Sequence, residues 1–140
     1  MIRAVLDTNV IISGTIKKSG PPFTVFEAWR EGRFLLITSR AIIKEVERVF
    51  HYPRIKKKYS LTERQIGGVI QNLKKYTVVA PGKLEIQVIK EDLSDNRLLA
   101  SALEGKAQYI VSGDPHLKNL KRYRSVRLVS PAEFVRILSC

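Results

Sequence analysis

Ile2-Arg3-Ala4-Val5-Leu6 runs straight into Asp7-Thr8-Asn9, and this junction decides how the chain is read. A short apolar run cut by a polar triplet suits a buried strand that ends in a loop or a helix cap. Phe34-Leu35-Leu36-Ile37-Thr38 repeats the device before Ser39, and Gln108-Tyr109-Ile110-Val111 repeats it before Ser112-Gly113-Asp114-Pro115. Residues 77–80 and 126–129 are shorter β-rich runs, and residues 86–89 are a weak extended candidate. Helical patterns lie between these runs. Val25, Phe26 and Trp29 form a stripe over residues 24–31, after the Gly20-Pro21-Pro22 break. Ile42, Ile43, Val46, Val49 and Phe50 keep helical spacing from Ser39 to Pro53, and Thr62-Glu63-Arg64-Gln65 is a capping-box signal for a helix to about residue 76. Residues 95–103 and 132–138 complete the set, the latter with Pro131 in its first turn. Strands alternating with helices in this way predict an α/β fold: a mostly parallel sheet of four to five strands with helices on both faces. No repeat or linker divides the chain, so residues 1–140 read as one domain.

At 140 residues the chain is long enough to bury roughly two thirds of its unfolded surface. The single cysteine, Cys140, is the last residue, which excludes an intrachain disulfide and a zinc site built on paired cysteines. A reducing cytoplasm suits that composition. Subtracting 13 acidic from 25 basic residues leaves a net charge of +12, which favours a polyanionic partner, nucleic acid ahead of an acidic protein. The first apolar run is cut at Asp7, too early for a signal peptide, and no apolar stretch approaches the ~20 residues that span a bilayer.

Ligands of parallel α/β sheets bind outside the carboxyl ends of the strands. Asp7 and Asp114 fall at or just past such ends. Asp95 falls in the first turn of the helix before the Gln108 strand, and Glu45 about one and a half turns into the helix after the Phe34 strand. A parallel sheet can bring all four to one edge. Two carboxylates ~4 Å apart repel by about 4 kcal/mol at an effective dielectric of 20, so such a cluster holds protons or recruits a cation. Hard oxygen donors favour Mg²⁺ or Mn²⁺, one or two ions, and a divalent ion beside a basic surface suits phosphodiester hydrolysis. Each acid also has an ordinary structural role open to it. Asp7 can cap a helix starting at Thr8, Asp95 can pair with an Asp92 cap, Glu45 can be solvated, and Asp114 can serve a turn.

These segments resemble the PIN-domain family, named for the PilT N-terminus. Val5-Leu6-Asp7-Thr8-Asn9-Val10-Ile11-Ile12 resembles its opening motif and Glu45-Val46 its second. Asp92-Leu93-Ser94-Asp95-Asn96-Arg97-Leu98-Leu99-Ala100 resembles the third, and Tyr109-Ile110-Val111-Ser112-Gly113-Asp114-Pro115-His116-Leu117 the fourth. The resemblance implies a three-layer α/β/α sandwich and a metal-dependent ribonuclease of the toxin–antitoxin type, acting on single-stranded RNA and restrained by an antitoxin protein. It implies that Asp7, Glu45, Asp95 and Asp114 hold one or two Mg²⁺ or Mn²⁺ ions and carry catalysis, with Asn9 and Ser112 in support. The products would be a 5′-phosphate and a 3′-hydroxyl. Many relatives carry a further acid where this chain has His116 or Leu117, which weakens the hold on a second ion. Relatives also form homodimers, for which apolar residues on the helices from Thr24 or Thr62 are candidates.

Lys118, Lys121, Arg122 and Arg124 follow the Asp114 loop with no intervening acid and are candidate substrate contacts. Arg54, Lys56, Lys57, Lys58 and Tyr59 form a second basic cluster. Two other functions compete. A non-catalytic nucleic-acid-binding domain explains the charge equally well and predicts no need for a metal. A haloacid-dehalogenase-like phosphatase shares a strand ending in Asp, but it needs a second Asp two residues on, where this chain has Asn9.

Overall fold

The computed structural model describes residues 1–85 and 93–140. The extended candidate at residues 86–89 and the Asp92 cap lie outside the described residues. The chain opens with β1 (Arg3–Leu6), α1 (Thr8–Ile16), α2 (Pro21–Arg30) and β2 (Leu35–Ser39). It continues through α3 (Arg40–Phe50), α4 (Pro53–Lys56), α5 (Glu63–Lys75) and β3 (Val78–Ala80). After α6 (Leu93–Glu104) come β4 (Tyr109–Val111), α7 (Pro115–Leu120), β5 (Arg122–Tyr123), β6 (Val126–Val129) and α8 (Pro131–Leu138).

The strands form one sheet in the order β3-β2-β1-β4-β6-β5, parallel except for the β5–β6 pair. The expected four to five strands become six because β5 adds a two-residue edge. Ala4 stands level with Leu36 and Tyr109, and Val5 with Ile37 and Ile110, so these two rows face opposite sides of the sheet. On the Tyr109 side, Phe134 of α8 meets Tyr109 and Phe34 edge-on at centroid distances of 5.8 and 5.0 Å. On the Ile37 side lies α6, whose end approaches so closely that a Cβ on Gly105 would collide with Ile37. The result is a three-layer α/β/α sandwich, as the resemblance implied.

Several elements sharpen or depart from the reading of the sequence, among them α4 and β5, which it did not predict. The segment after Asp7 forms the helix α1, buried at Thr8, Val10, Ile11, Ile12 and Gly14. Its polar face is missing because α2 covers it: a Cβ on Gly14 would lie 2.7 Å from the Phe26 Cβ. Pro21 and Pro115 start helices instead of only breaking the chain, since proline suits the first helical turn. The capping box at Thr62–Gln65 forms as expected, and Ser130–Glu133 forms another at α8.

The order of strands matters for function. From β1 the chain moves outward to β2 and β3, then returns to the other side of β1 as β4. The point of reversal lies between β1 and β4, where a crevice opens outside their carboxyl ends. Arg3, at the start of β1, donates from its guanidinium to the Gly105 carbonyl at 2.9 and 3.0 Å. The end of α6 is thereby fixed at the amino edge of the sheet, and its first turn at the carboxyl edge.

Candidate active site

Asp7 occupies the crevice between β1 and β4. Its amide donates to the Val111 carbonyl at 3.0 Å, stitching the end of β1 to the end of β4. Asp7 sits at the N-cap position of α1, yet its side chain makes no capping bond. Its Oδ2 instead accepts from the Ser112 hydroxyl at 2.7 Å, and the Ser112 Oγ accepts from the Asp114 amide at 3.0 Å. Ser112 is buried, so this relay fixes the carboxylate against the loop that carries Asp114.

Glu45 reaches the same place from α3, whose start is set by Ser39 accepting from the Ile42 amide. The buried Thr8 donates its hydroxyl to Glu45 Oε2 at 3.1 Å. Thr8 belongs to the motif quoted from the sequence, but its role as the bridge between α1 and α3 was not read there; the Asp-Thr-Asn order alone carries that signal. Arg48 stands 4.0 Å from the other Glu45 oxygen, a loose pair between an exposed arginine and a half-buried glutamate, of small energetic weight.

The electrostatics tie these acids together. Burial raises the Asp7 pKa most; the charges of Glu45 and Asp114 raise it further, against the lowering effects of the Ser112 hydroxyl and the Thr8 amide. Asp95 lies in the first turn of α6, at the carboxyl edge, and is buried beside the buried Asn96. A carboxylate there is favoured by the positive end of the helix. Asn9 is exposed in the first turn of α1. Leu117 is buried in the core, so it presents nothing to the crevice.

Among the described residues, no three Asp, Glu, His or Cys side chains form a ready-made ligand set. The donor chemistry nevertheless suits a hard divalent cation. The donors are all oxygen, and such a cation offsets both the burial of the Asp7 charge, the main cause of its raised pKa, and the smaller repulsion from Glu45 and Asp114. Asp7, Glu45 and Asp114 are the acids that could hold it, since the charges of the last two act on the first.

The basic residues are distributed differently from the acids. Lys118 lies on α7, its side chain outside the described residues, and Lys121 follows directly. Arg122 and Arg124 are not brought beside the carboxylates, because β5 runs antiparallel to β6 and carries them toward the amino edge. Arg54, Lys56, Lys57 and Lys58 lie beyond the end of α3, on and just after α4. A groove of about 870 Å³ between α2 and α5, lined by Phe23, Trp29, Leu61 and Val69, is separate from the carboxylates.

A family model described as PIN domain matches residues 3–116. A protein of Methanocaldococcus jannaschii, described as uncharacterized protein MJ1680, is 28% identical over 142 positions, covering 96% of this chain and 90% of its own length.

Proposed function

Since the PIN-domain model spans most of its length, the chain belongs to the PIN-domain family, and on that premise we propose that it is a metal-dependent endoribonuclease cutting single-stranded RNA. PIN domains are generally nucleases that use divalent metal ions, which separates this chain from the haloacid-dehalogenase phosphatases. The observation that carries the reading is Asp7: a carboxylate at the reversal point of the sheet, anchored by Ser112, with Glu45 and Asp114 near enough to raise its pKa.

In this proposal Asp7, Glu45, Asp95 and Asp114 hold one or two Mg²⁺ or Mn²⁺ ions. When bound, such an ion supplies charge stabilisation at the phosphate and eases deprotonation of the attacking water. Ser112 keeps Asp7 turned toward the Asp114 loop, Thr8 keeps Glu45 turned toward Asp7, and Asn9 supports the exposed side of the crevice. Lys118 and Lys121, which follow the Asp114 loop, hold the RNA backbone nearest the crevice, Arg122 and Arg124 hold it farther along, and the whole of residues 1–140 acts as one domain. The reading carries a toxin role, with a small antitoxin protein as partner and the α2–α5 groove as the place for it or for a second copy. Among the described residues no helix is long and apolar enough to cross a membrane, and the proposed compartment is the cytoplasm.

The test is cleavage of labelled single-stranded RNA with Mg²⁺, with Mn²⁺ and with EDTA, alongside Asp7→Asn purified identically. Metal-dependent cutting, reduced by several orders of magnitude in the variant, is the expected result. RNA binding without cleavage under every condition supports the non-catalytic domain instead.

A further inference from the structure

We propose that the β5–β6 hairpin is a second RNA-holding surface, placed at the opposite edge of the sheet from the carboxylates. The proposal rests on the reading of RNA as substrate. In the hairpin Arg122 faces Arg127 and Tyr123 faces Val126, so the loop of Arg124 and Ser125 lies where β4 and β6 begin. Ser112 bonds to Val129 at the far end of β6, which puts Arg124 about 15 Å away along the strand. That is too far to touch a phosphate held at Asp7.

Two features of the hairpin leave its positive charge uncompensated. Arg122 and Arg127 are like charges directly opposite one another on neighbouring strands, an unfavourable pairing. No Asp or Glu occurs between Asp114 and Glu133, and none of the ion pairs among the described residues involves Lys121, Arg122, Arg124 or Arg127. An anion relieves the charge repulsion.

The same geometry selects the kind of anion. The Arg124 guanidinium lies 5.4 Å from the Tyr123 ring centre, and that of Arg127 lies 5.6 Å from the Tyr109 ring centre. Rings in place of carboxylates orient these groups without neutralising them. Oriented, exposed guanidinium groups match the two-oxygen edge of a phosphate, and arginines side by side match a chain of them. An RNA held here extends beyond the nucleotides being cut.

Binding of a labelled single-stranded RNA of about 20 nucleotides is measured by anisotropy in EDTA over a salt series. The proteins are the wild type, the triple variant Arg122→Gln/Arg124→Gln/Arg127→Gln, and the double variant Arg122→Gln/Arg124→Gln, which leaves Arg127 on Tyr109. The triple variant is expected to lose about tenfold or more in affinity, with a log–log salt slope shallower by about 2. The double variant shows a smaller loss in the same direction. Unchanged affinity and slope in folded variants overturn the proposal, as does tighter binding of polyglutamate than of RNA by the wild-type hairpin. A wild type that binds RNA through the hairpin yet cuts none with either metal keeps this inference and removes the nuclease reading. Normal cutting with unaltered hairpin-variant binding does the reverse.

Discussion

On the proposed reading, Asp7 concentrates the conflict between stability and function in one side chain. Burial, then the charges of Glu45 and Asp114, hold its carboxyl above the ordinary value of 3.8, although Ser112 and the Thr8 amide pull the other way. A native state that binds this proton more tightly than the unfolded chain has its full contribution at pH below 3.8. That contribution is lost as the pH rises through the raised value, so at neutral pH the ionised group weakens the fold. Asp7→Asn keeps the shape and an acceptor for Ser112 while removing the charge. The variant is therefore expected to unfold at higher urea than the wild type at about pH 7, with the difference shrinking toward about pH 4. A variant less stable than wild type at neutral pH would show that Asp7 serves the fold instead. Activity lost together with stability gained is the signature of a group retained for its chemistry.

The elements that were legible are those with a local chemical cause. Thr62 and Gln65 announce α5 by their own hydrogen bonds, and the apolar stripe of α3 needs no partner to be recognised. α1 was harder to see because it lies under α2 and carries apolar residues where a surface helix would be polar. β5 has one β-favouring residue among cations, and only its pairing with β6 makes it a strand. Between elements, His51 at the end of α3 joins the first turn of α5. Its Nδ1 lies 2.8 Å from the Glu47 carbonyl oxygen and its Nε2 2.7 Å from the Glu63 carboxylate, so the doubly protonated ring satisfies both acceptors. The Glu47 carbonyl first, then Glu63, raises the His51 pKa above 6.5, while the His51 bond lowers that of Glu63 below 4.5. The histidine's contribution is complete below its ordinary value and disappears as pH rises through the raised one; the glutamate's disappears as pH falls through its lowered value. His51→Gln is thus expected to lower the melting temperature at about pH 6 and to match the wild type at about pH 9. A deficit of equal size at both values would assign the ring to packing alone.

Across the whole molecule, the candidate carboxylates and the hairpin arginines lie toward opposite edges of the sheet. Strand ends could be read from apolar runs, so the carboxyl-edge placement of Asp7 and Asp114 was legible. Arg122 and Arg124 were not, because the reversal that carries them to the other edge arises from pairing rather than from any residue before it. The net charge of +12 attracts a nucleic acid from a distance, but an acidic crevice without a cation repels the phosphate that the proposed reaction brings to it. On the proposed reading metal and RNA are therefore coupled: a divalent ion that neutralises the crevice makes the final approach favourable. Asp7→Asn and Asp114→Asn, each removing one negative charge, are expected to bind RNA severalfold more tightly than the wild type in EDTA, and the gain is expected to shrink as salt rises. Mn²⁺ should strengthen binding to the wild type more than to either variant, with a non-cleavable phosphorothioate RNA as the probe. Equal affinities in EDTA would place the RNA backbone away from these carboxylates, and with it any claim that they receive the scissile phosphate.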